Sequence, residues 1–333
     1  MNTDTQQWQD TREDIKRRLL EVLGPFPDTV TDLQPRTVEQ IRCEGYLRRK
    51  VLYQAQPGED IGAYVMVPDG GEGPFPVAFC IHPTTAGSGK DRIAGVWGVA
   101  PDTPPDASRS YAHELAQRGY LVFAPDFLTD GERVYPGWKP YHTRPFYEAN
   151  PEWSAVGKNI WDAMRGIDFL QTVPEADVSR LATIGHSFGG HHSLFIAAFD
   201  QRVKCVVSNG GVVSWLTRGE NHWARPLDSW YTYINKLRPY YENDDTAMPL
   251  RFWEVMALLA PRPLLAMTAQ GDTQSPEEAR FTYEHVREVY RSLGVPDRTL
   301  FYLYPGPHDF PVPIRELAYA WLHRWLASPG EEV

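Results

Sequence analysis

The chain of 333 residues contains only three cysteines, Cys43, Cys80 and Cys205, and they are far apart. Three isolated thiols form neither a disulfide framework nor the paired spacing of a zinc site. No apolar run approaches the length that spans a bilayer, and the first residues contain no apolar stretch typical of a secretory signal. These absences predict a reduced, cytoplasmic protein without a membrane segment.

Basic residues are in the minority, and the formal net charge is −10 at pH 7. Binding to nucleic acid depends mainly on basic groups that meet phosphates, so the charge argues against a nucleic-acid partner. Motifs for nucleotides and metals are also missing, since "TAGSGKD" does not have the spacing of a P-loop and no H-E-x-x-H occurs. The sequence therefore predicts neither a metal nor a cofactor.

Strand-like and helix-like segments alternate through most of the chain. After an amphipathic helix at residues 10–23 and a hairpin at about 46–68, short apolar strands alternate with helices as far as residue 326. Continuous apolar strands between helices are typical of a parallel sheet that is covered on both faces. We therefore predict a helical extension over residues 1–40 and one α/β domain over residues 41–333.

One connection is far longer than the others. About fifty residues separate "VKCVVSN" from "PLLAMTA", and they are rich in tryptophan and tyrosine. We predict a lid inserted over the active site at about residues 214–251. Trp215, Trp223, Trp230 and Tyr231 are candidates for substrate binding, because aromatic rings stack on sugars and on aromatic acyl groups. The alternative is that these rings only form the core of a helical flap.

The stretch "ATIGHSFGGHH" places Ser187 in the pattern G-x-S-x-G, between an apolar strand and a helix. A strand, turn and helix with this pattern form a nucleophile elbow, whose turn is so tight that the neighbouring residues must be small. A serine hydroxyl needs a histidine base, and the histidine needs an acid that fixes its tautomer. Ser187 is therefore the predicted nucleophile.

Two later loops supply the base and the acid. "TLFYLYPGPHDFP" places His308 after the last strand, and "QGDTQSP" places Asp272 after the strand before it. Both positions lie at the sheet edge where ligands of open α/β proteins bind. We predict His308 as the base and Asp272 as the acid, with Glu277 and Asp309 as weaker substitutes for the acid.

Other histidines are weaker candidates for the base. His186, His191 and His192 flank Ser187, but close neighbours in sequence point away along the turn or the helix. We expect packing or supporting roles for these three residues. His82, at the end of an earlier strand, is a candidate for lining the site.

Acyl transfer also requires N–H donors that point at the developing oxyanion. The first predicted donor is the N–H of Phe188, which follows the nucleophile and begins a helix. The second comes from "HPTTAG", after the strand "VAFCI". Because Pro83 has no N–H, we favour Thr84 over Thr85 as this donor. Thr85 is also a candidate for substrate binding.

A helical i, i+3 spacing in "WDAMRGIDFL" predicts a structural salt bridge between Asp162 and Arg165. We give this pair no role in catalysis.

The motifs resemble those of the α/β-hydrolase superfamily, and within it the dienelactone hydrolases, acetyl xylan esterases and prolyl-oligopeptidase-like hydrolases. The resemblance extends from about residue 45 to the end of the chain and includes "CIHPTTAGSGKD", "ELAQRGYLVFAPDFLTDGER", the elbow, "LLAPRPLLAMTAQGD" and "GPHDFP". It implies an α/β-hydrolase fold and a serine hydrolase whose triad is Ser187, Asp272 and His308. Dienelactone hydrolases usually have a cysteine where this chain has Ser187, and this chain has no region resembling the β-propeller of the oligopeptidases.

These features predict a hydrolase that cleaves a small carboxylic ester through an acyl-enzyme intermediate. The alternatives are a carbon–carbon bond hydrolase or lyase and a peptidase on the same triad, or a non-catalytic ligand receptor on the same fold. The sequence leaves open whether the substrate is a sugar, aryl or aliphatic ester. It also leaves open whether the N-terminal helix or the lid forms a homodimer.

Overall fold

The computed structural model describes residues 3–96, 109–215, 223–243, 247–272 and 275–327. Within these ranges one sheet of nine strands forms the centre of the molecule. The strands are β1 (Arg36–Cys43), β2 (Tyr46–Gln56), β3 (Glu59–Pro68), β4 (Phe75–Ile81), β5 (Leu121–Pro125), β6 (Ala176–His186), β7 (Val203–Asn209), β8 (Leu264–Gly271) and β9 (Thr299–Pro307). The helices are α1 (Thr3–Leu23), α2 (Gly89–Ile93), α3 (Tyr111–Gln117), α4 (Arg144–Ala149), α5 (Ala155–Leu170), α6 (Phe188–Phe199), α7 (Arg238–Asn243), α8 (Phe252–Ala257), α9 (Pro276–Ser292) and α10 (Val312–Leu326).

The strand order in the sheet is β1-β2-β3-β5-β4-β6-β7-β8-β9. The first four strands in this order pair antiparallel, and they include the predicted hairpin as β2 and β3. From β5 to β9 all neighbouring strands run parallel. The predicted parallel sheet is therefore confirmed. Because parallel strands end at one edge, their carboxyl-terminal loops meet there.

Each face of the sheet has its own apolar core. Val77, Phe79 and Ile81 of β4 face the larger core, which α1, α5, α6, α8 and α9 complete. Ala78 and Cys80 face the smaller core, with α3 and α10. Helices therefore cover both faces, as the continuous apolar strands predict. In the ranges that the structure describes, no helix is long and apolar enough to cross a membrane.

The N-terminal helix α1 is part of the larger core. Its side chains Ile15, Leu19 and Leu23 are buried there. Arg18 forms an ion pair with Glu254 of α8, with 2.7 Å between Nη2 and Oε1. The helix therefore packs on the segment that follows the predicted lid.

The sequence pattern does not predict five of the elements. The side chains of β1 are largely exposed, so "RTVEQIRC" shows no alternation of buried apolar residues. The helices α2, α4, α7 and α8 have only five or six residues. A helix so short does not contain a full apolar repeat. The predicted domain boundary at residue 40 falls inside β1. Because β1 is hydrogen-bonded to β2, this strand is part of the central sheet.

The predicted salt bridge between Asp162 and Arg165 is wrong. Arg165 instead pairs with Asp168 on the same helix. Asp162 pairs with Lys158 at 2.5 Å and with Arg133 at 2.8 Å. Helical spacing does not decide whether Arg165 pairs with Asp162 at i−3 or with Asp168 at i+3. It also does not predict the contact of Asp162 with Arg133, which lies on another segment.

Leu19→Ala should lower the free energy of unfolding by about 2–4 kcal/mol, because it leaves a cavity at a fully buried position. Urea denaturation followed by circular dichroism measures the change. Gln9→Ala, at an exposed position of the same helix, is the control and should change stability by less than about 0.5 kcal/mol. Equal stability of the Leu19→Ala and wild-type proteins would show that α1 is not part of the core.

Candidate active site

The predicted nucleophile elbow lies at the end of β6. Ser187 connects β6 to α6 with φ 56° and ψ −117°, a conformation that residues with a side chain rarely adopt. A Cβ on Gly185 would overlap the Gly189 carbonyl, and a Cβ on Gly189 would overlap the Ile81 carbonyl. Only glycine fits at these two positions, so the G-x-S-x-G pattern is a steric requirement of the turn.

Three side chains from three loops meet at this turn. His308 Nε2 is 2.8 Å from Ser187 Oγ, and His308 Nδ1 is 2.8 Å from Asp272 Oδ2. The Asp272 side chain is 1% exposed and the His308 side chain 23% exposed. A carboxylate on Nδ1 holds the proton on that nitrogen, which leaves Nε2 free to accept the serine proton. The geometry is therefore that of a nucleophile, a base and an orienting acid.

The two substitutes for the acid have other partners. Glu277 accepts a hydrogen bond from Ser275 Oγ at 3.1 Å, at the start of α9. The Asp309 carboxylate lies 3.8 Å from Arg109 Nε. Among the described residues, Asp272 is the only acidic side chain hydrogen-bonded to His308.

A polar network that the sequence does not predict holds the loop of His308. Asn209 Nδ2 and the Tyr304 hydroxyl both donate to the Asp309 carbonyl, at 2.9 and 2.6 Å. Asn209 Nδ2 also lies 2.8 Å from His186 Nδ1. The His186 ring packs against the His308 ring, with 4.6 Å between centroids. This position fits the supporting role that the sequence predicts for His186.

His192 is also held by protein groups. Its Nδ1–H donates to the Phe188 carbonyl at 2.8 Å, and its Nε2 accepts from Asn159 Nδ2 at 3.1 Å. Burial lowers the pKa of His192 to about 3, so the ring is neutral.

Over the described ranges, no group of three or more His, Cys, Asp or Glu side chains could hold a metal ion.

Both predicted N–H donors lack a backbone acceptor among the hydrogen bonds of the described turns and loops. One is the N–H of Phe188, the first residue of α6. The other is the N–H of Thr84, in the loop after β4. This loop reaches the elbow because Gly189 packs directly against the Ile81 carbonyl. Both groups therefore remain candidates for binding a ligand oxygen.

Thr85 and His82 are hydrogen-bonded to other groups of the protein. The Thr85 N–H donates to the Tyr141 hydroxyl at 2.9 Å, and its side chain is buried. His82 is fully buried, with Nδ1 donating to the Pro83 carbonyl at 2.8 Å and Nε2 accepting from the Phe127 N–H at 3.1 Å. The contacts of Thr85 and His82 with substrate stay predictions, and the buried positions of the two residues do not favour them.

Three of the four aromatic residues predicted to bind substrate are also buried. Trp215, Trp223 and Tyr231 are at most 1% exposed and pack in the larger core. Their contact with substrate stays a prediction, and the burial of the rings in the core does not favour it. Most of the described lid thus fits the alternative of a packed flap. The predicted lid residues 216–222 and 244–246 lie outside the described residues.

Trp230 differs from the other three, since it is 36% exposed. Its ring packs against Tyr141, with 5.4 Å between centroids. The Arg225 guanidinium carbon lies 5.1 Å from the centre of the Trp230 ring. Of the four aromatic candidates, Trp230 is thus the one with an exposed ring, and a cation lies beside it.

Known proteins with similar sequences include esterases. A family profile described as "Glucuronyl esterase, fungi" matches residues 141–294. YtaP of Bacillus subtilis, a protein named only as a hydrolase, is 25% identical over 323 residues, which cover 95% of this chain and 100% of that protein. The 4-O-methyl-glucuronoyl methylesterase 1 of Wolfiporia cocos is 28% identical over 195 residues, which cover 54% of this chain and 48% of that protein.

A solved structure covers nearly the whole chain. The glucuronoyl esterase from Solibacter usitatus superposes with a TM-score of 0.75 at 20% identity, over 98% of this chain and 95% of that chain. The fold is that of an α/β hydrolase. The predicted fold class is therefore confirmed, and the similarity in sequence to esterases agrees with the resemblance to this group of hydrolases.

A glycine makes room for the His308 ring. Gly210 follows β7 with φ 58°, and a Cβ there would lie 2.8 Å from His308 Cε1 and 3.5 Å from Asp272 Oδ2. The first of these distances requires the imidazole to move. One sequence feature could have indicated Gly210 as a residue of the site, namely its position directly after a predicted parallel strand.

Gly210→Ala should lower kcat for an ester substrate by about 10²-fold, because it displaces the His308 ring from Ser187. Steady-state kinetics with p-nitrophenyl acetate measure the loss. Gly58→Ala is the matched control, since Gly58 also has a positive φ of 77° but no atom lies within 4 Å of its Cβ position. Equal activity of the two variants would show that Gly210 does not position the base.

Proposed function

We propose that this protein is a serine hydrolase of carboxylic esters, with Ser187, His308 and Asp272 as its catalytic triad. The observation that carries the proposal is the pair of 2.8 Å hydrogen bonds that joins the serine hydroxyl to the imidazole and the imidazole to a buried carboxylate. The names of the related proteins support an ester as the bond that is cleaved. A non-catalytic receptor would not need all three side chains in this geometry.

The reaction proceeds through an acyl-enzyme. Ser187 Oγ attacks the carbonyl carbon while His308 Nε2 takes the hydroxyl proton, and Asp272 stabilises the imidazolium that forms. When the tetrahedral intermediate collapses, the ester C–O bond breaks and the leaving alkoxide takes the proton from His308. Water, deprotonated by His308, then attacks the acyl-enzyme, releases the carboxylic acid and restores Ser187.

Two N–H groups stabilise the oxyanion of each tetrahedral intermediate. The Phe188 N–H begins α6, and the positive end of the helix dipole favours a negative charge there. The Thr84 N–H is the second donor, because the N–H of Thr85 already donates to Tyr141. Fixed donors of this kind contribute more than flexible ones, since they do not have to reorient when the charge develops.

Ser187→Ala should lower kcat for p-nitrophenyl acetate by more than about 10³-fold, because the acyl-enzyme cannot form. A fluorophosphonate label, mapped by mass spectrometry, should lie on Ser187 of the wild-type protein. Ser193→Ala is the matched control in α6, the helix that follows Ser187, where Ser193 Oγ donates to the Gly189 carbonyl at 2.8 Å. It should keep wild-type activity. Full turnover by the Ser187→Ala protein would overturn the proposal.

The substrates proposed are esters of carbohydrates, with alkyl esters of uronic acids as the first class to test. The fungal glucuronyl esterase profile covers Ser187, Asp272 and the lid. Trp230 offers an exposed indole, on which a sugar ring can stack. Arg225 beside it offers guanidinium donors for sugar hydroxyl or carboxyl oxygens.

Trp230→Ala should raise KM for methyl glucuronate by about 10-fold, which corresponds to the loss of about 1.4 kcal/mol of stacking. The kcat for p-nitrophenyl acetate should not change, because the small acetyl ester does not need the indole. Trp253→Ala, which removes a ring packed on His285, is the control and should leave both values unchanged. A wild-type KM for methyl glucuronate in the Trp230→Ala protein would remove this ring from the substrate site.

A further inference from the structure

A buried carboxylate lies at the centre of the loop that carries Thr84. Asp130 is fully buried. Its oxygens accept hydrogen bonds from Thr85 Oγ1 at 2.5 Å, from the Gly87 N–H at 2.8 Å and from the Gly131 N–H at 2.9 Å. The loop after β4 is therefore tied, by side chain and backbone, to the loop after β5.

Tyr141 adds a second connection to the same loop. Its hydroxyl donates to Asp130 Oδ2 and accepts the Thr85 N–H at 2.9 Å. Burial, together with the neighbouring Asp130 carboxylate, raises the pKa of Tyr141 well above its ordinary value, so the phenol keeps its proton. The N–H of Thr85 is thereby satisfied within the protein, and the N–H of Thr84 is the next donor along the loop.

The backbone around Asp130 is strained at three positions. Ala86, Thr129 and Tyr141 have φ of 55°, 67° and 64°, in the left-handed region that favours glycine. A residue with a side chain persists in this conformation only where surrounding contacts hold it. The Tyr141 N–H donates to the Thr129 carbonyl at 2.9 Å, which links two of the three. Strain of this kind clusters where a protein fixes a functional geometry.

The Tyr141 ring also contacts the other side of the proposed oxyanion hole. Its centroid lies 6.0 Å from that of Phe188, whose N–H is the first donor, and 5.4 Å from that of Trp230 on the lid. One side chain therefore contacts the elbow, the loop after β4 and the exposed part of the lid.

We infer that Asp130 and Tyr141 are positioning residues for the oxyanion hole, which hold the loop after β4 so that the Thr84 N–H faces the ester oxygen. The inference rests on the proposed function and deepens it. Neither residue touches the reacting atoms, so each acts through the backbone of the loop. Removing the Tyr141 hydroxyl takes away the acceptor of the Thr85 N–H and one of the donors to Asp130.

Tyr141→Phe should lower kcat for p-nitrophenyl acetate by at least about 10-fold with KM changed by less than about twofold, because a misplaced donor weakens binding of the transition state only. A second readout is the ratio of rates for p-nitrophenyl acetate and p-nitrophenyl thionoacetate. Sulfur is the weaker hydrogen-bond acceptor, so well-aligned donors favour the oxygen ester. The ratio should fall in the Tyr141→Phe protein. Asp130→Asn, which keeps the size of the side chain, should change both readouts in the same direction.

Tyr147→Phe is the matched control. Tyr147 is also a buried tyrosine, whose hydroxyl donates to lid carbonyls at 3.0 Å and accepts the Ala155 N–H at 3.1 Å. Its loss should lower stability without a change in the oxygen-to-sulfur ratio. A wild-type ratio and kcat in both Tyr141→Phe and Asp130→Asn would overturn the inference, as would equal changes in the Tyr147→Phe protein.

The failure of this inference is distinguishable from failure of the proposed function. If the function is wrong, the turnover of the wild-type protein does not depend on Ser187, and the Ser187→Ala protein remains active. If only the inference is wrong, turnover depends on Ser187, but the oxygen-to-sulfur ratio is the same with and without the Tyr141 hydroxyl. Asp130→Asn keeps the test decisive if the Tyr141→Phe protein does not fold.

Discussion

The tight turn at Ser187 determines where every other group of the site must lie. The serine keeps a φ of 56° because Gly185 and Gly189 allow β6, α6 and β4 to approach more closely than any side chain would permit. The turn places the hydroxyl at the carboxyl edge of the parallel sheet. The loops that follow β8 and β9 begin at the same edge. The same turn begins α6, so the nucleophile and the Phe188 N–H are fixed together.

Buried polar groups hold the loops on both sides of this turn. On one side, Asn209 and Tyr304 fix the carbonyl of the residue that follows His308. On the other side, Asp130 and Tyr141 fix the loop that carries Thr84. Both sets are hydrogen-bonded within the protein, which is the condition under which buried polar groups confer a single geometry. In the proposed mechanism, these residues preorganise the site without taking part in the reaction.

The sequence predicts the sheet and the three residues of the triad because their signals are local. Ser187 lies in a short motif, and Asp272 and His308 each follow an apolar strand. The supporting residues have no such signal, since the contact between Thr85 and Tyr141 joins positions 56 residues apart. Composition also does not predict which aromatic side chains are buried. Trp223 and Trp230 lie in one aromatic segment, but Trp223 is buried and Trp230 is exposed. Those facts depend on tertiary packing.

The most direct test is a crystal structure of the protein after reaction with diethyl p-nitrophenyl phosphate, which forms a stable tetrahedral adduct. The account predicts phosphorus bonded to Ser187 Oγ, with the phosphoryl oxygen within about 3 Å of the backbone nitrogens of Phe188 and Thr84. His308 should remain hydrogen-bonded to Asp272. An adduct on another residue would contradict the assignment of the nucleophile. A phosphoryl oxygen directed away from both nitrogens would contradict the proposed oxyanion hole.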